Sequence, residues 1–387
     1  MKILIVSWSI LPQTGGSSVI VENLAQNFTQ DELVVFGSST WSRKAVSGRK
    51  ANGARFQYFF SELNFMGRGN RFFSWFRKGR FGGLMAAIEK IIKDEKIDHV
   101  IGVYPNDLYC LAACRAAKKL GVPFSSYFHN TYTDNVAITD SNAAAYQAEI
   151  FSNSARVFVM SDGMLRFYKK QYNLDNLVPL VHTFNAYPSS TELTGIPGTE
   201  KDTYELVAIG NFNESNIDAT KRLLNAIAGN PKYHLNVYTN VPRLLLQKRG
   251  INTDLFTHRG AVAPEQIHAE LQKYDICVLT HGFEGGYGEI EYQTIFPTRT
   301  IPLLLSGKPI FAHSPQGSFL NSFIEEKQCA CLVDVADTKD IVNGLDKVAN
   351  DREYQQLLVQ NAGKAAAQFY GPTVIKELLQ ELKSSEA

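Results

Sequence analysis

Cysteines and long apolar runs are both scarce in this sequence of 387 residues. The five cysteines are Cys110, Cys114, Cys277, Cys329 and Cys331. They are odd in number and contain no C-x-x-C pair, so they support neither a disulfide framework nor a zinc ribbon, and a reducing compartment fits them. No window approaches the roughly 18 uninterrupted apolar residues of a membrane-spanning helix. We therefore expect a cytoplasmic protein.

An excess of charge of one sign is missing as well, because 39 Lys and Arg residues face 38 Asp and Glu residues, a formal net charge of +1. Such a balance gives no whole-molecule field to attract nucleic acid, so any polyanion must be held by a local site. The sequence has no Asp-x-Asp triplet, no paired histidine spacing of a metal site, no Gly-x-Ser-x-Gly elbow and no P-loop. We therefore expect no bound metal, no nucleic-acid partner, and neither a serine hydrolase nor a P-loop nucleotidase.

Short apolar runs alternate with amphipathic stretches over residues 1–185. Strands are predicted at 2–6, 33–36, 99–103, 124–128 and 156–160, and helices at 19–28, 84–93, 108–120 and 164–171. This alternation is typical of a parallel sheet with helices on both faces. The first part of the chain therefore predicts a Rossmann-like, doubly wound domain.

The pattern stops over 186–203, where Pro, Gly and Ser interrupt any periodicity as in an interdomain linker. It restarts over 204–371, with strands predicted at 205–209, 234–238, 276–280 and 309–312, and helices at 217–228, 264–273 and before Gly307. A last helix within 372–387, opened by Pro372, has an apolar face that needs a surface to pack on. The predicted fold class is α/β, with two Rossmann-like doubly wound domains facing an interdomain cleft, where such folds place ligands.

A glycine pair, Gly15 and Gly16, follows the first predicted strand and leads into a helix. Glycines let backbone N–H groups approach a phosphate closely, and a helix N-terminus adds partial positive charge. The same residues also suit an ordinary strand-to-helix turn. The full G-x-G-x-x-G fingerprint is absent, which disfavours a dinucleotide cofactor.

A histidine, His129, ends the predicted strand PFSSYFH. At the carboxyl end of a parallel strand its imidazole would point into the cleft, where it could bind a substrate hydroxyl or move a proton. A structural histidine with satisfied hydrogen bonds is the alternative.

Most of the candidate chemistry lies in residues 280–312. Three carboxylates suited to sugar or ribose hydroxyls follow the predicted strand in a Gly-rich loop: Glu284, Glu289 and Glu291. The four residues before the next predicted helix are Phe296, Pro297, Thr298 and Arg299. A Thr hydroxyl, an arginine and free N–H groups at a helix start would clamp a diphosphate. A surface loop capped by a helix is the structural alternative.

Residues 65–83 interleave five basic side chains with aromatic rings and contain no acid. This composition suits an anionic membrane surface, with rings at the interface and cations on phosphate. Nucleic acid and an ordinary aromatic cluster under a loop are the other interpretations.

In order and spacing, these motifs resemble the group-one family of retaining, GT-B-fold glycosyltransferases over nearly the whole chain. In the first half, the opening MKILIVSWSILPQTGGSSVIVENLA resembles the family's first strand and Gly-Gly loop, and PFSSYFH its strand ending in an active-site histidine. In the second half, ELVAIGNFNES resembles the strand before a pyrophosphate-facing loop, here Gly210, Asn211 and Asn213, while FPTR precedes a Gly-Lys-Pro turn.

The resemblance implies transfer of a sugar from a nucleotide-diphosphate sugar to an acceptor hydroxyl, with retention and without a metal. The nucleotide sugar would be a donor substrate bound by the C-terminal domain, with no further cofactor. The acceptor would be a glycan or a lipid-linked or protein acceptor on the N-terminal domain, with residues 65–83 at a membrane surface. The resemblance also implies that the last helix, within 372–387, packs back on the N-terminal domain. We expect the catalytic groups to be His129, Arg299 and Glu284.

The chain also departs from the family's pattern. Where the family carries two glutamates separated by seven residues, this sequence has Thr294 and Pro302, and Asn211 and Asn216 replace the usual basic pair. Arg299 is then the best phosphate cation, with Lys221 and Arg222 as more distant candidates. These departures leave two alternatives open, a catalytically silent GT-B-fold binding partner and a GT-B-type sugar-nucleotide epimerase.

Overall fold

The structure is a computed structural model of the chain. It describes residues 1–11, 16–38, 54–59, 76, 78–104, 107–136, 138–185, 201–284 and 288–384. The chain divides into two compact units, one of residues 1–185 and 369–387 and the other of residues 186–368. Most of the expected linker and of the basic aromatic segment 65–83 lies outside the described residues.

The first unit is built on a parallel sheet. Among the described residues its seven strands run in the order β3-β2-β1-β4-β5-β6-β7. They are β1 (Ile3–Ser7), β2 (Leu33–Ser38), β3 (Arg55–Phe59), β4 (His99–Tyr104), β5 (Phe124–Phe128), β6 (Val157–Val159) and β7 (Leu177–Pro179). Every residue of β1, β2, β4 and β5 is buried, as expected for apolar strands covered on both faces. The strand order reverses between β1 and β4, which defines the switch point of this sheet.

The helices of this unit connect the parallel strands. They are α1 (Gly16–Ala25), α2 (Phe81–Asp94), α3 (Asp107–Leu120), α4 (Ala143–Asn153) and α5 (Asp162–Tyr172). The buried face of α2 is Leu84, Ile88, Ile91 and Ile92, which recur at helical spacing. The Ser161 hydroxyl accepts from the Met164 N–H at 3.0 Å and so caps α5.

The second unit repeats the design with a six-stranded parallel sheet in the order β10-β9-β8-β11-β12-β13, counted over the described residues. Its strands are β8 (Tyr204–Ile209), β9 (Tyr233–Tyr238), β10 (Phe256–Gly260), β11 (Ile276–Thr280), β12 (Ile310–His313) and β13 (Cys331–Val333). The switch point falls between β8 and β11, which pair in parallel register with Leu206 opposite Ile276.

Helices cover this second sheet as well. They are α6 (Ile217–Ile227), α7 (Arg243–Lys248), α8 (Ile267–Leu271), α9 (Glu289–Thr294), α10 (Thr300–Leu304), α11 (Phe319–Lys327), α12 (Thr338–Asn350) and α13 (Arg352–Ala366). Two predictions need correction here. The helix expected at 264–273 is a 3-10 turn, Pro264–Gln266, followed by the short α8, and the expected Gly-rich loop after β11 contains α9.

The last helix, α14 (Gly371–Ser384), belongs to the first unit. Its side chains Val374, Ile375, Leu378 and Leu382 join the same core cluster as β1 and α1. The Glu381 carboxylate accepts from the Arg156 guanidinium at 3.0 Å, which ties the helix to the start of β6. No helix in the described part of the chain is long and apolar enough to cross a membrane.

Leu378→Ala should destabilise the first unit by about 2–5 kcal/mol, because it leaves a cavity beneath α14. All three tryptophans, Trp8, Trp41 and Trp75, lie within residues 1–185, so urea unfolding followed by tryptophan fluorescence reports on this unit. Leu379→Ala on the same helix is the matched control, since that side chain is only partly buried and its truncation should cost less. Equal losses for the two variants would contradict the packing described here.

Candidate functional site

The carboxyl edge of the second sheet holds the best-defined candidate site. There β8 and β11 end side by side at the switch point, where open α/β sheets bind ligands. The loop after β8 covers residues 210–216, and the loop after β11 begins at His281. The sequence-predicted residues Gly210, Asn211 and Arg299 meet at this edge.

Arg299 joins the ends of the two strands. Its Nη2 donates to the Thr280 carbonyl at 2.5 Å and its Nη1 donates to the Asn211 carbonyl at 3.3 Å. Burial lowers the pKa of Arg299 to about 10, so the guanidinium is still charged at neutral pH. A guanidinium has five N–H donors, and these two bonds leave donors to spare for an anion.

Gly210 makes room for that arginine. It has a φ of +105°, a conformation that side chains rarely adopt, and an added Cβ would lie 3.3 Å from the Arg299 Cδ. The following residues fold on themselves: Asn216 Oδ1 accepts from the Asn213 N–H at 2.9 Å, and Asn213 Oδ1 accepts from the Ser215 Oγ at 2.7 Å. Asn213 therefore shapes the loop with its side chain, while the Asn211 side chain is exposed.

The expectation of free N–H groups at the helix start after Arg299 is wrong. The Thr300 N–H donates to the Pro297 carbonyl at 2.9 Å, and the Ile301 N–H donates to the Thr298 carbonyl at 3.3 Å. The third residue of α10 is Pro302, which has no N–H. The turn that places Arg299 has used these donors, so the Arg299 guanidinium and the Thr298 hydroxyl remain as the candidate phosphate-binding groups of this segment.

The three candidate carboxylates are not equivalent. Glu284 and Glu289 are exposed, whereas Glu291 is buried, all of them after β11. The backbone N–H groups of Phe283 and Glu284 both donate to Asp218 Oδ2, at 2.7 and 2.8 Å. Asp218, at the start of α6, thus fixes the loop that carries Glu284, a role that the sequence analysis missed.

Phe296 contributes to packing. It is buried, with its ring 4.9 Å from that of Phe323 and 6.1 Å from that of Phe319, centroid to centroid. Its apolar contacts anchor the segment 297–299 beside the switch point. Pro297 and Thr298 are half-buried in that segment.

Gly16 begins α1 at the carboxyl edge of the first sheet, and Gly15 lies outside the described residues. A Cβ added to Gly16 would meet no described atom within 4 Å, and its φ lies outside the glycine-favouring range. Packing against the described residues therefore does not require glycine at this position, and close approach of a ligand is a further reason for it.

His129 follows β5 as predicted and pairs with a second histidine, His182, beyond β7. Their ring centroids are 5.8 Å apart, and both side chains are almost fully buried. None of their four ring nitrogens has a hydrogen-bond partner among the described residues. Burial lowers the pKa of His129 well below its ordinary value and that of His182 to about 3, so both are neutral near pH 7. No motif in the sequence marks His182.

Two more neutral histidines lie at the edge of the second sheet. His281 directly follows β11, and His313 ends β12 and donates from Nδ1 to the Val333 carbonyl at 2.9 Å. Burial lowers the pKa of His281 to about 3 and that of His313 to about 4. The centroid of the Phe283 ring lies 4.5 Å from that of the His313 ring and 4.7 Å from Cζ of the Arg222 guanidinium. Arg222 is thus placed over Phe283.

Comparison with solved structures identifies the class of fold. Sucrose-phosphate synthase from Thermosynechococcus elongatus superposes with a TM-score of 0.70 at 15% identity, covering 99% of each chain. HepE from Anabaena in complex with UDP-glucose superposes with a TM-score of 0.69 at 14% identity, covering 99% of this chain and 100% of that one. The structure of TarM superposes with a TM-score of 0.68 at 10% identity, covering 98% of both chains. The chain has the GT-B fold, as the sequence predicted.

A family model described as Glycosyltransferase Family 4 matches residues 14–184. These residues lie in the first unit and include Gly16, His129 and His182. No curated protein matches the chain in sequence. The solved structures therefore show the fold, the family match covers less than half of the chain, and membership of the group-one family stays a prediction.

Acid should destabilise this protein through its buried histidines. An unfolded imidazole titrates near pH 6.5, whereas burial lowers the folded pKa of His182 and His281 to about 3 and of His99 and His313 to about 4. Between about pH 6.5 and 4 the unfolded state therefore binds more protons than the folded state. The free energy of unfolding decreases as the pH is lowered, by up to about 1.4 kcal/mol per pH unit for each histidine.

Urea unfolding at constant ionic strength from pH 7.5 to 4.5 measures this slope. The variant His182→Gln should flatten the slope of the first unit by the equivalent of about one proton. An unfolding free energy that stays constant from pH 7.5 to 5 would contradict the assignment of neutral buried histidines.

Proposed function

We propose that this protein is a retaining, metal-independent glycosyltransferase. It transfers a sugar from a nucleotide-diphosphate sugar, bound by the C-terminal domain, to an acceptor hydroxyl held by the N-terminal domain. The single observation that carries this proposal is the charged Arg299 guanidinium at the switch point of the second sheet. The Glycosyltransferase Family 4 match over residues 14–184 supports the same function for the first domain.

The chemistry of sugar transfer calls for this arrangement. Cleavage of the bond between the sugar and the diphosphate builds negative charge on the leaving diphosphate. A preorganised cation lowers the energy of that developing charge, and a half-buried arginine can do so with several donors at once. HepE is a GT-B-fold protein solved with UDP and with UDP-glucose, which supports a nucleoside diphosphate sugar as the donor here.

His129 would bind a sugar hydroxyl. A neutral imidazole offers one N–H donor and one acceptor, which matches a hydroxyl group that both donates and accepts. Its ring nitrogens lack partners among the described residues, and a buried polar atom without a partner costs about 1–3 kcal/mol, so a ligand hydroxyl there would recover that cost. Glu284, exposed after β11, would contact the sugar or the acceptor.

The acceptor is a glycan or a lipid-linked or protein acceptor. The solved TarM complex with fondaparinux, a GlcNAc-glycerol and UDP supports a glycan acceptor for this fold. Residues 65–83 would hold such an acceptor near an anionic membrane surface, as their composition predicts. We infer retention from the resemblance to retaining enzymes.

Arg299→Gln should lower the rate of sugar transfer on the order of 100-fold, because the leaving diphosphate loses its cation. The assay first screens UDP, GDP, ADP and CDP sugars for nucleoside diphosphate release, and then compares the variant with the wild type on the active donor. Arg259→Gln is the matched control. Arg259 lies on β10, away from the switch point, and donates to Asn236 Oδ1 on β9 at 2.9 Å.

The outcomes separate the proposal from its main alternative. A wild type that binds a nucleoside diphosphate but releases none from any sugar donor would favour the catalytically silent binding partner. Equal rates for wild type and Arg299→Gln would remove the arginine from the mechanism.

Gly16→Ala should weaken donor binding on the order of tenfold and leave the melting temperature unchanged. The added methyl group meets no described atom of the chain, so a loss of affinity reports on a ligand that approaches the backbone there. Gly82→Ala is the control, because Gly82 is an exposed glycine in the first turn of α2 with equally open surroundings. Identical donor affinities for the two variants would argue for a plain strand-to-helix turn.

A further inference from the structure

Two adjacent leucines are exposed on the short helix α7. The exposed fraction is 64% for Leu244 and 41% for Leu245, whereas the next residue, Leu246, is fully buried. Among the residues that the structure describes, no other two exposed large apolar side chains follow one another in the sequence. Single exposed leucines are ordinary on a protein surface, but an adjacent pair points to an interaction surface.

The packing of α7 within its unit does not need these two leucines. Leu246 holds the helix, because its side chain lines a small apolar space together with Phe212 and Ile251. An α-helix turns by about 100° per residue, so Leu244 lies about 160° around α7 from Leu246, and Leu245 lies about 100° from it. Both exposed side chains therefore point away from the core, and their replacement should not unfold the unit.

Cations surround the two leucines. The stretch 242–251 contains three basic residues, Arg243, Lys248 and Arg249, and no acid. Lys248 follows Leu244 by four residues and Arg249 follows Leu245 by four, so each exposed leucine has a cation one turn further along the same side of the helix. The long stem of a basic side chain extends an apolar surface while its charge stays in water.

A fourth cation lies next to the end of α7. The Lys221 Nζ, from α6, is 2.8 Å from the point where a Cβ of Gly250 would stand. Within the described part of the chain, the one ion pair that these four cations make joins Arg243 to Asp254, with 3.6 Å between nitrogen and oxygen. The Asp254 side chain is 85% exposed, so this pair is weak. The surface therefore carries an excess of positive charge.

Backbone carbonyls hold two of these cations in place. Arg243 Nη2 donates to the Thr253 carbonyl at 2.7 Å, and Arg249 Nη1 donates to the Phe212 carbonyl. A guanidinium has five N–H donors, and a bond to a neutral carbonyl leaves its charge without a counter-ion. The two guanidinium groups are thus fixed at the two ends of α7, with the exposed leucines between them.

The size and composition of this surface favour a membrane over a protein as its partner. A helix of six residues is about 9 Å long, whereas a specific protein interface buries about 800 Å² on each partner. Leucine is also under-represented among the residues that anchor protein interfaces. Amphipathic segments bind an anionic bilayer by shallow insertion of apolar side chains, with cations on the phosphate groups. Because the formal net charge of the chain is only +1, attraction to such a bilayer has to come from a local cluster of cations.

We propose that α7 and the four cations around it are a docking surface for an anionic phospholipid membrane. Leu244 and Leu245 enter the boundary between headgroups and acyl chains, and the cations contact lipid phosphates. This surface belongs to the second unit and is separate from the basic aromatic segment 65–83 of the first. It goes beyond the proposed function, since it brings the chain to a bilayer whatever reaction the chain catalyses.

Sedimentation of the full chain with lipid vesicles tests the proposal. The vesicles consist of phosphatidylcholine alone or of phosphatidylcholine with phosphatidylserine. The wild type should bind the anionic vesicles, and added salt should weaken this binding. The double variant Leu244→Gln/Leu245→Gln should bind them on the order of tenfold more weakly, because two apolar side chains no longer insert. Lys248→Gln should weaken the binding about fivefold through the loss of one cation.

Leu357→Gln is the matched control. Leu357 on α13 is 49% exposed, a fraction between those of the two leucines of α7, but Glu353 lies one turn before it and Asn361 one turn after it. This variant should bind vesicles like the wild type. The variants Leu244→Trp and Leu357→Trp add an optical readout. Relative to the wild type, the tryptophan emission should shift to the blue on anionic vesicles for the first variant and stay unchanged for the second.

A wild type that does not sediment with the anionic vesicles would overturn the proposal. Equal binding by the wild type and the double variant would place the membrane contact elsewhere in the chain and remove α7 from it. Self-association of the wild type in place of vesicle binding, lost in the double variant, would show that a second copy of the chain covers α7. None of these assays measures sugar transfer, so a failure here leaves the proposed function untouched.

Discussion

One guanidinium organises the carboxyl edge of the second sheet. Arg299 spans the switch point by donating to the Thr280 carbonyl after one strand and to the Asn211 carbonyl after its neighbour. Only a planar fork of donors on a long side chain can join two carbonyls in this way and still present a positive charge. Gly210 is needed for it, because a side chain there would press on the arginine and the backbone has a positive φ. Loop shape, strand ends and local charge therefore depend on the same group.

The carboxyl edges of both sheets also hold buried histidines. His129 and His182 in the first unit, and His281 and His313 in the second, are buried, and burial lowers the pKa of each. Neutral imidazoles suit hydroxyl groups, whereas an arginine suits phosphate. Under the proposed function, the uncharged imidazoles would bind the sugar hydroxyls and the positive charge of Arg299 would bind the diphosphate.

The sequence predicts the repeated parts of the fold well. Strands such as β5 and β11 were placed to the residue, because a short apolar run between turns has few other interpretations. Glycine-rich spacing concealed α9, and short edge strands such as β3 carry no clear period. Within the site, the sequence located Arg299 next to a strand end. It could not locate Asp218, which accepts from the N–H groups of Phe283 and Glu284 across 65 and 66 residues and depends on how α6 packs.

The departures from the resembled family affect both the glutamate pair and the basic pair of its site. Pro302 lies in the first turn of α10, where a missing N–H costs little, and the Thr294 hydroxyl donates to the Ile290 carbonyl within α9. The two positions that carry glutamates in the family thus hold a proline and a threonine whose hydroxyl is bonded to the backbone. The phosphate side keeps its charge through Arg299. Under the proposed function, donor recognition should therefore depend more on the diphosphate than on the ribose.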